Sequence, residues 1–180
     1  FLLSCWLVAI YDIHDSALQF EEQFVLNPKL GTAIALGIDG LSLPMVVLAT
    51  LLTSIALLAS FNISNSIKGY YISMLLLEFG MVGVFLSQDW SLFYIFWELT
   101  LIPLFILIAL WGGKRRNVAS INFVLYTMGG SIFMLVSLLA INQYMPEHGG
   151  TLMSSMAVAA QSMPRDEQLW VLMGFLIGFG

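Results

Sequence analysis

Four apolar stretches of about twenty residues, 41–60, 69–87, 91–111 and 119–141, follow one another with only short polar links between them. At 1.5 Å per helical residue, a run of that length matches the roughly 30 Å hydrocarbon core of a bilayer. In lipid the backbone must satisfy its own donors and acceptors, which a helix does within each segment. Two further apolar runs, 1–11 and 169–180, read as spans cut short by the ends of the chain. The expected class is an all-α polytopic membrane protein, a transmembrane helix bundle with four complete and two truncated spans. Residues 1–180 then form one transmembrane fragment with outer loops at 12–40 and 142–168.

Composition excludes the main alternatives. The chain is 59% hydrophobic and 9% charged, too few charges to keep its surface in water. The first ten residues are apolar without a basic leading region, so they are not a signal peptide. A single cysteine, Cys5, rules out an intrachain disulfide, a cysteine zinc site and a cysteine-ligated iron–sulfur cluster within this chain, and reads as a small apolar helix residue. His14 and His148 lie in separate loops without a ligand cluster, so no metal is expected. The net charge of −5 reports acids gathered in two loops and gives no reason to expect nucleic acid. There is no G-x-G-x-x-G, P-loop, C-x-x-C or G-x-S-x-G pattern, which places redox chemistry elsewhere.

The three-residue link Gln88-Asp89-Trp90 forces its two helices to be antiparallel neighbours. If every segment crosses, loops 12–40, 88–90 and 142–168 share one side and carry Lys29 and Arg165. Loops 61–68 and 112–118 share the other and carry Lys68, Lys114, Arg115 and Arg116. The positive-inside rule puts the second set in the cytoplasm, stroma or matrix. Loop 12–40 keeps the apolar stretches Phe24-Val25-Leu26 and Ile34-Ala35-Leu36; it has room for a short hairpin and is expected to pack over the outer helix ends. Loop 142–168 reads as an irregular connection with space for a surface helix near 151–162.

Glu98 is the chemistry-bearing residue. It stands seven residues into the run 91–111, about 10 Å from the outer end. A carboxylate at that depth costs ~2.5 kcal/mol or more, which selects for a partner, a hydrated cavity or a function. It could be a protonated side chain that hydrogen-bonds a neighbouring helix, or an ionisable group on a proton pathway. The surroundings favour the pathway. Ser91, Tyr94 and Glu98 recur at i, i+3 and i+7 on one face, and Pro103 removes a donor and frees the Leu99 carbonyl nearby. All three neighbours are taken as pathway-lining residues.

Glu78, at the centre of 69–87, is the second intramembrane acid and a further pathway candidate. Ser73, Gly80, Gly83 and Ser87 on the same helix form a small-residue face suited to close packing, and Glu78 lies about 200° round from Gly80. Asn122, Tyr126, Gly130 and Ser137 form a stripe on 119–141 that is expected to hold helices together. Asp39, ahead of Ser42 and Pro44, has the chemistry of a helix cap. The Lys114-Arg115-Arg116 cluster reads as a topogenic anchor that also suits lipid phosphate or a subunit contact.

Gly37-Ile-Asp-Gly-Leu-Ser, Gly83-Val-Phe-Leu, Phe96-Trp-Glu-Leu-Thr-Leu-Ile-Pro, Trp111-Gly-Gly-Lys-Arg and Tyr126-Thr-Met-Gly-Gly-Ser, in that order, resemble the chain 4 (M) antiporter-like subunit family of respiratory complex I. Related chains serve photosynthetic NAD(P)H dehydrogenase-like complexes and multisubunit sodium/proton antiporters of the Mrp type. The resemblance covers about 37–141. It implies a fourteen-helix subunit that moves protons through inverted half-channels in a complex I-type NAD(P)H or ferredoxin:quinone oxidoreductase, with plastoquinone as the quinone in photosynthetic membranes. Flavin and iron–sulfur clusters would then reside in partner subunits, none on this chain, and the partners would be other membrane-arm subunits, lipids and protons. The membrane implied is bacterial inner, thylakoid or mitochondrial inner. Glu98 takes the place of the family's first half-channel glutamate, whose lysine partner follows the Gly174-Phe-Leu-Ile-Gly-Phe-Gly180 run by about two residues. A cation/proton antiporter and a purely structural membrane-arm subunit are the competing readings.

Overall fold

The computed structural model describes residues 1–15, 17–27, 32–145 and 151–179. Helix α1 (Leu2–Ile10) is followed by strands β1 (Gln19–Asn27) and β2 (Thr32–Ile38). Helices α2 (Ser42–Ala59), α3 (Ile67–Leu86), α4 (Trp90–Trp111), α5 (Arg116–Asn142), α6 (Met153–Ser162) and α7 (Arg165–Phe179) complete the chain, with a 3-10 turn at Ser60–Asn62 after α2. Four helices, spanning Ser42–Asn62, Ile67–Leu86, Trp90–Trp111 and Arg116–Asn142, are long and apolar enough to cross a membrane. Much of their surface is uncovered within this chain, as at Leu125, 66% exposed, which suits lipid or neighbouring helices.

Polar first turns account for the differences from the hydropathy reading. The helix expected at 169–180 begins at Arg165, with Asp166 and Glu167 in its first turn, where the helix dipole favours acids. The helix expected at 119–141 begins at Arg116, whose guanidinium reaches back to the Leu110 carbonyl (2.7 Å) at the end of α4. The basic cluster thus closes a helix terminus besides marking a side. At the same end, Trp111 Nε1 donates to the Asn65 carbonyl (2.9 Å), and the Trp111 ring meets Tyr70 edge-on.

The opposite end holds the β-hairpin. β1 and β2 pair antiparallel, with a register shift between Gln19 and Glu22 beside Phe20, whose φ is 54°. The sheet does not stop there. Gln88 N–H donates to the Ala35 carbonyl (2.8 Å), Met153 N–H to the Gln88 carbonyl (2.9 Å) and Trp90 N–H to the Thr151 carbonyl (2.9 Å). The 88–90 link therefore lies as an extended piece between β2 and the start of α6, and its short length fits that role. The loop expected at 142–168 resolves into α6 and the first turn of α7; its residues 146–150, with Pro146, Glu147, His148 and the two glycines, lie outside the described residues, as do Lys29 and Gly180.

The core sits at this hairpin end. Met134, Leu138 and Ile141 of α5 are buried against Met156 and Ala159 of α6 and against Met163. Trp90, Phe93 and Trp97 of α4 join Phe175 and Phe179 of α7 in a run of ring contacts. α6 is consequently a lid over the α4–α5–α7 junction, its Met156 and Ala159 pointing inward.

Candidate functional site

α4 is held from both sides. Toward α3, Gly80 takes Thr100 and Gly83 takes Phe96 so closely that a methyl at Gly80 would lie 2.8 Å from Thr100 Cγ2, and one at Gly83 would overlap the Phe96 ring. Ser73, Gly80 and Gly83 are the buried residues of α3, as their small-residue pattern requires. This pairing fixes the antiparallel register and puts Glu78 about one turn, or ~5 Å, nearer the basic end than Glu98. Glu78 is half-buried and lies away from the α4 seam.

At the hairpin end α4 starts from Asp89, fully buried at 0% exposure. Its Oδ1 accepts from the Ser91 (2.8 Å) and Leu92 (3.1 Å) amides, and its Oδ2 accepts from the Thr151 hydroxyl (2.5 Å). Sequence reasoning treated Asp89 only as part of a link. An aspartate directly before an apolar helix is the available signal for a cap. Asp39 caps α2 in the same way: its Oδ1 accepts from the Leu41 (3.0 Å) and Ser42 (2.6 Å) amides while its own amide donates to Ser42 Oγ (2.9 Å). These bonds, the Ser42 amide foremost, hold the Asp39 carboxyl below the usual carboxylate range. Tyr144, just past α5, donates to Glu167 (2.6 Å), which pushes its phenol up.

Toward α5, α4 lines several clefts, two of which bear on the expected polar stripe. One, of about 250 Å³, opens at the hairpin end and is lined by Ser91, Tyr94, Leu138, Asn142, Thr151 and Met156 among others. The other, of about 380 Å³, is lined by Glu98, Leu101, Ile102, Phe105, Val124 and Met128. The expected polar stripe is thus divided: Ser91 and Tyr94 line the first cleft, Glu98 the second. Glu98 Oε1 is buried and has no hydrogen-bond partner among the described residues. Tyr94 stands one turn before Glu98 on the same face of α4. Pro103 is fully buried within α4 and is not among the residues lining these two clefts. Five residues after Glu98, it lies about 140° round the helix and faces elsewhere.

The α5 stripe also divides. Gly130 and Ser137 meet α7, where Gly174 lies on Ser137 and Gly178 on Met134, while Asn122 is exposed and Tyr126 is 81% exposed. The Gly174-x-x-x-Gly178 spacing is a small-residue packing motif that sequence reasoning had used only as a family marker. Among the described residues no group of three or more His, Cys, Asp or Glu side chains comes together.

A bundle of four helices long and apolar enough to cross a bilayer, with Glu98 in mid-span of α4, defines a multi-pass α-helical integral membrane protein. The chain belongs to the NADH:quinone oxidoreductase/Mrp antiporter transmembrane family, which it matches over residues 87–180. It is 42% identical over 171 residues to NAD(P)H-quinone oxidoreductase chain 4 1 of Picosynechococcus sp., covering 94% of this chain and 31% of that relative. It is similar to a chain in the structure of respiratory complex I from Thermus thermophilus with bound NADH, at 26% identity and a TM-score of 0.81, over 99% of this chain and 36% of that one. It shares the fold of a chain of the Mrp complex from Dietzia sp. at 19% identity and a TM-score of 0.81, over 98% of this chain and 19% of that one. The chain therefore spans about a third of the length of the curated relative it matches.

Proposed function

We propose that this chain is part of a proton-translocating membrane subunit of a complex I-type NAD(P)H or ferredoxin:quinone oxidoreductase, with the redox chemistry, flavin and iron–sulfur clusters in partner subunits. The observation that carries the reading is Glu98 Oε1, buried between α4 and α5 without a hydrogen-bond partner among the described residues. A glutamate that served only to join helices would bond its neighbour. A buried carboxylate oxygen without a donor among the described residues, in an apolar cleft, instead suits a group that alternates between charge states. Glu98 is paired with a buried lysine in the family pattern, and stays ionised while that pair is closed. When the lysine swings away, the carboxylate loses its compensating charge and takes up a proton. Ser91 and Tyr94 line the approach to it, and Glu78, one turn toward the basic end, extends the pathway. The basic end, with Lys68 and the Lys114-Arg115-Arg116 cluster, faces the cytoplasm, stroma or matrix, and neighbouring membrane-arm subunits and lipid cover the exposed helix faces.

The test is Glu98→Gln in the full-length subunit within its assembled complex, reconstituted in proteoliposomes. Proton translocation falls to background while assembly persists; full pumping would overturn the reading. A second reading, a subunit of an Mrp-type cation/proton antiporter, is supported by the shared fold with the Dietzia complex. The 42% identity to a quinone oxidoreductase chain favours the first. Quinone-binding and peripheral-arm subunits co-purifying with this chain would exclude the second.

A further inference from the structure

We propose that the basic end of the bundle holds a site for the headgroup of one anionic membrane lipid, its phosphodiester or sulfonate bridged between Lys68 of α3 and the Lys114-Arg115-Arg116 run that joins α4 to α5. All four side chains are exposed, and no acid occurs between Asn62 and Leu77 or between Leu99 and Asn142. Glu78 is the first carboxylate along α3, ten residues and about 15 Å from Lys68. The cations therefore stand without a counter-charge from their own helices. Both α3 and α5 begin at this end with no side-chain cap and no acid in the first turn. Positive side chains there oppose the helix dipole and repel one another, so an anion set among them relieves both costs. The site is independent of the role of Glu98.

The fold gathers the two basic segments into one patch. Trp111, the last residue of α4, donates to the Asn65 carbonyl (2.9 Å), its ring meets Tyr70 edge-on at 5.2 Å, and a methyl at Gly69 would lie 3.6 Å from it. Gly69 follows Lys68 directly, and Lys114 stands three residues after Trp111, so the two lysines share the patch on their flexible stems. The Arg116 guanidinium is fixed by its bond to the Leu110 carbonyl (2.7 Å), which occupies one N–H and leaves others for an anion. A lipid fits these surroundings better than a free anion. Trp111, Tyr70 and Tyr71 meet ring to ring, as aromatic side chains do at headgroup depth. Further along the helices Ile72 of α3, Leu110 of α4 and Val118 and Ile121 of α5 are exposed aliphatic surface, suited to acyl chains. A free phosphate uses the charges alone, whereas an anionic phospholipid uses charges, aromatic belt and aliphatic faces together. Its headgroup then clasps the start of α3 to the start of α5 across the end of α4.

The experiment places the full-length subunit in its assembled complex in phosphatidylcholine nanodiscs with increasing phosphatidylglycerol, and follows amide exchange in segments 61–70 and 110–120 by mass spectrometry. The first amides of α3 and α5 have no partner within their helices, so a bound headgroup protects them. Both segments gain protection together and saturably with phosphatidylglycerol, and neither does with inorganic phosphate added to phosphatidylcholine discs. Lys68→Gln raises the phosphatidylglycerol needed by about fivefold at both segments, the second of them more than forty residues away, and Lys68→Arg restores it. Arg165→Gln, at the opposite end of the bundle, changes nothing at either segment. Diffuse attraction to an anionic surface confines the effect of Lys68→Gln to its own segment, and that result would overturn the site. Equal protection in phosphatidylcholine alone, which makes a neighbouring subunit the cover, would overturn it too, as would equal protection by inorganic phosphate, which makes it a free-anion site. Should Lys68→Gln fail to assemble, Lys114→Gln read at segment 61–70 decides: a fivefold loss supports the bridge and no change refutes it.

Discussion

Asp89 is the residue whose removal the structure makes most costly at the hairpin end. Asp89→Ala takes away the acceptor of the Ser91 and Leu92 amides, a helix cap worth about 1–2 kcal/mol. It also strands the Thr151 hydroxyl, for a further ~1–2 kcal/mol at a half-buried position. The total is about 2–4 kcal/mol of local stability, placed where the 88–90 link bridges β2 and the start of α6. Because 1.4 kcal/mol is tenfold in an equilibrium, amide exchange at Ser91 and Leu92 accelerates by roughly 30- to 700-fold if local opening governs it. Hydrogen exchange with mass spectrometry on the 87–95 segment of the full-length subunit reads this directly. Asp89→Asn keeps the Oδ1 acceptor, and the Thr151 hydroxyl can turn to accept from the new amide, so exchange rises by about tenfold or less. Thr151→Val alone costs about 1 kcal/mol, and the Asp89→Ala/Thr151→Val pair costs less than the sum of the two, since they share a bond. Exchange at Ser91 and Leu92 that is unchanged in Asp89→Ala, or equal for Ala and Asn, would refute the cap.

Gly174→Ala sets a methyl on Ser137 and 3.1 Å from the Phe133 carbonyl, so the α5–α7 seam must part at a cost of about 1–3 kcal/mol; thermal unfolding shows the loss, and Ser137→Gly in the same chain restores most of it. Asp39→Ala costs about 1 kcal/mol at neutral pH. The folded carboxyl titrates below the ordinary 3.8, so its contribution is present above that value and fades as pH falls through the lowered one. Unfolding followed against pH therefore shows wild type and variant converging below pH 3.8, and a gap that persists there would sink the capping argument.

The spans were legible because hydropathy and length are local properties, and the structure moved their ends by only the polar turns at Arg116 and Arg165. The hairpin left a faint trace in Ile34-Ala35-Leu36, but the bonds that tie Ala35 to Gln88 and Gln88 to Met153 join backbone groups far apart in sequence, which no local pattern records. The stripe on α5 met a related limit: Asn122, Tyr126, Gly130 and Ser137 were drawn as one face, yet Gly130 and Ser137 meet α7 while Asn122 and Tyr126 are exposed. A periodicity identifies a face without saying which neighbour it meets.

That distinction bears on how Glu98 can work. Phe96 and Thr100, which flank it on α4, are the residues set into Gly83 and Gly80, so the backbone on both sides of the carboxylate is in close contact with α3. Cores packed at that density yield in discrete steps and resist gradual bending. A sliding or tilting of α4 would have to lift both contacts at once. The α5 side is different, since the two clefts leave space beside Tyr94 and Glu98 themselves. The freedom at this site therefore belongs to side chains, on a backbone fixed by the glycine seam. A glutamate mounted in this way keeps its depth whichever side-chain rotamer it adopts, as the proposed pathway role of Glu98 requires.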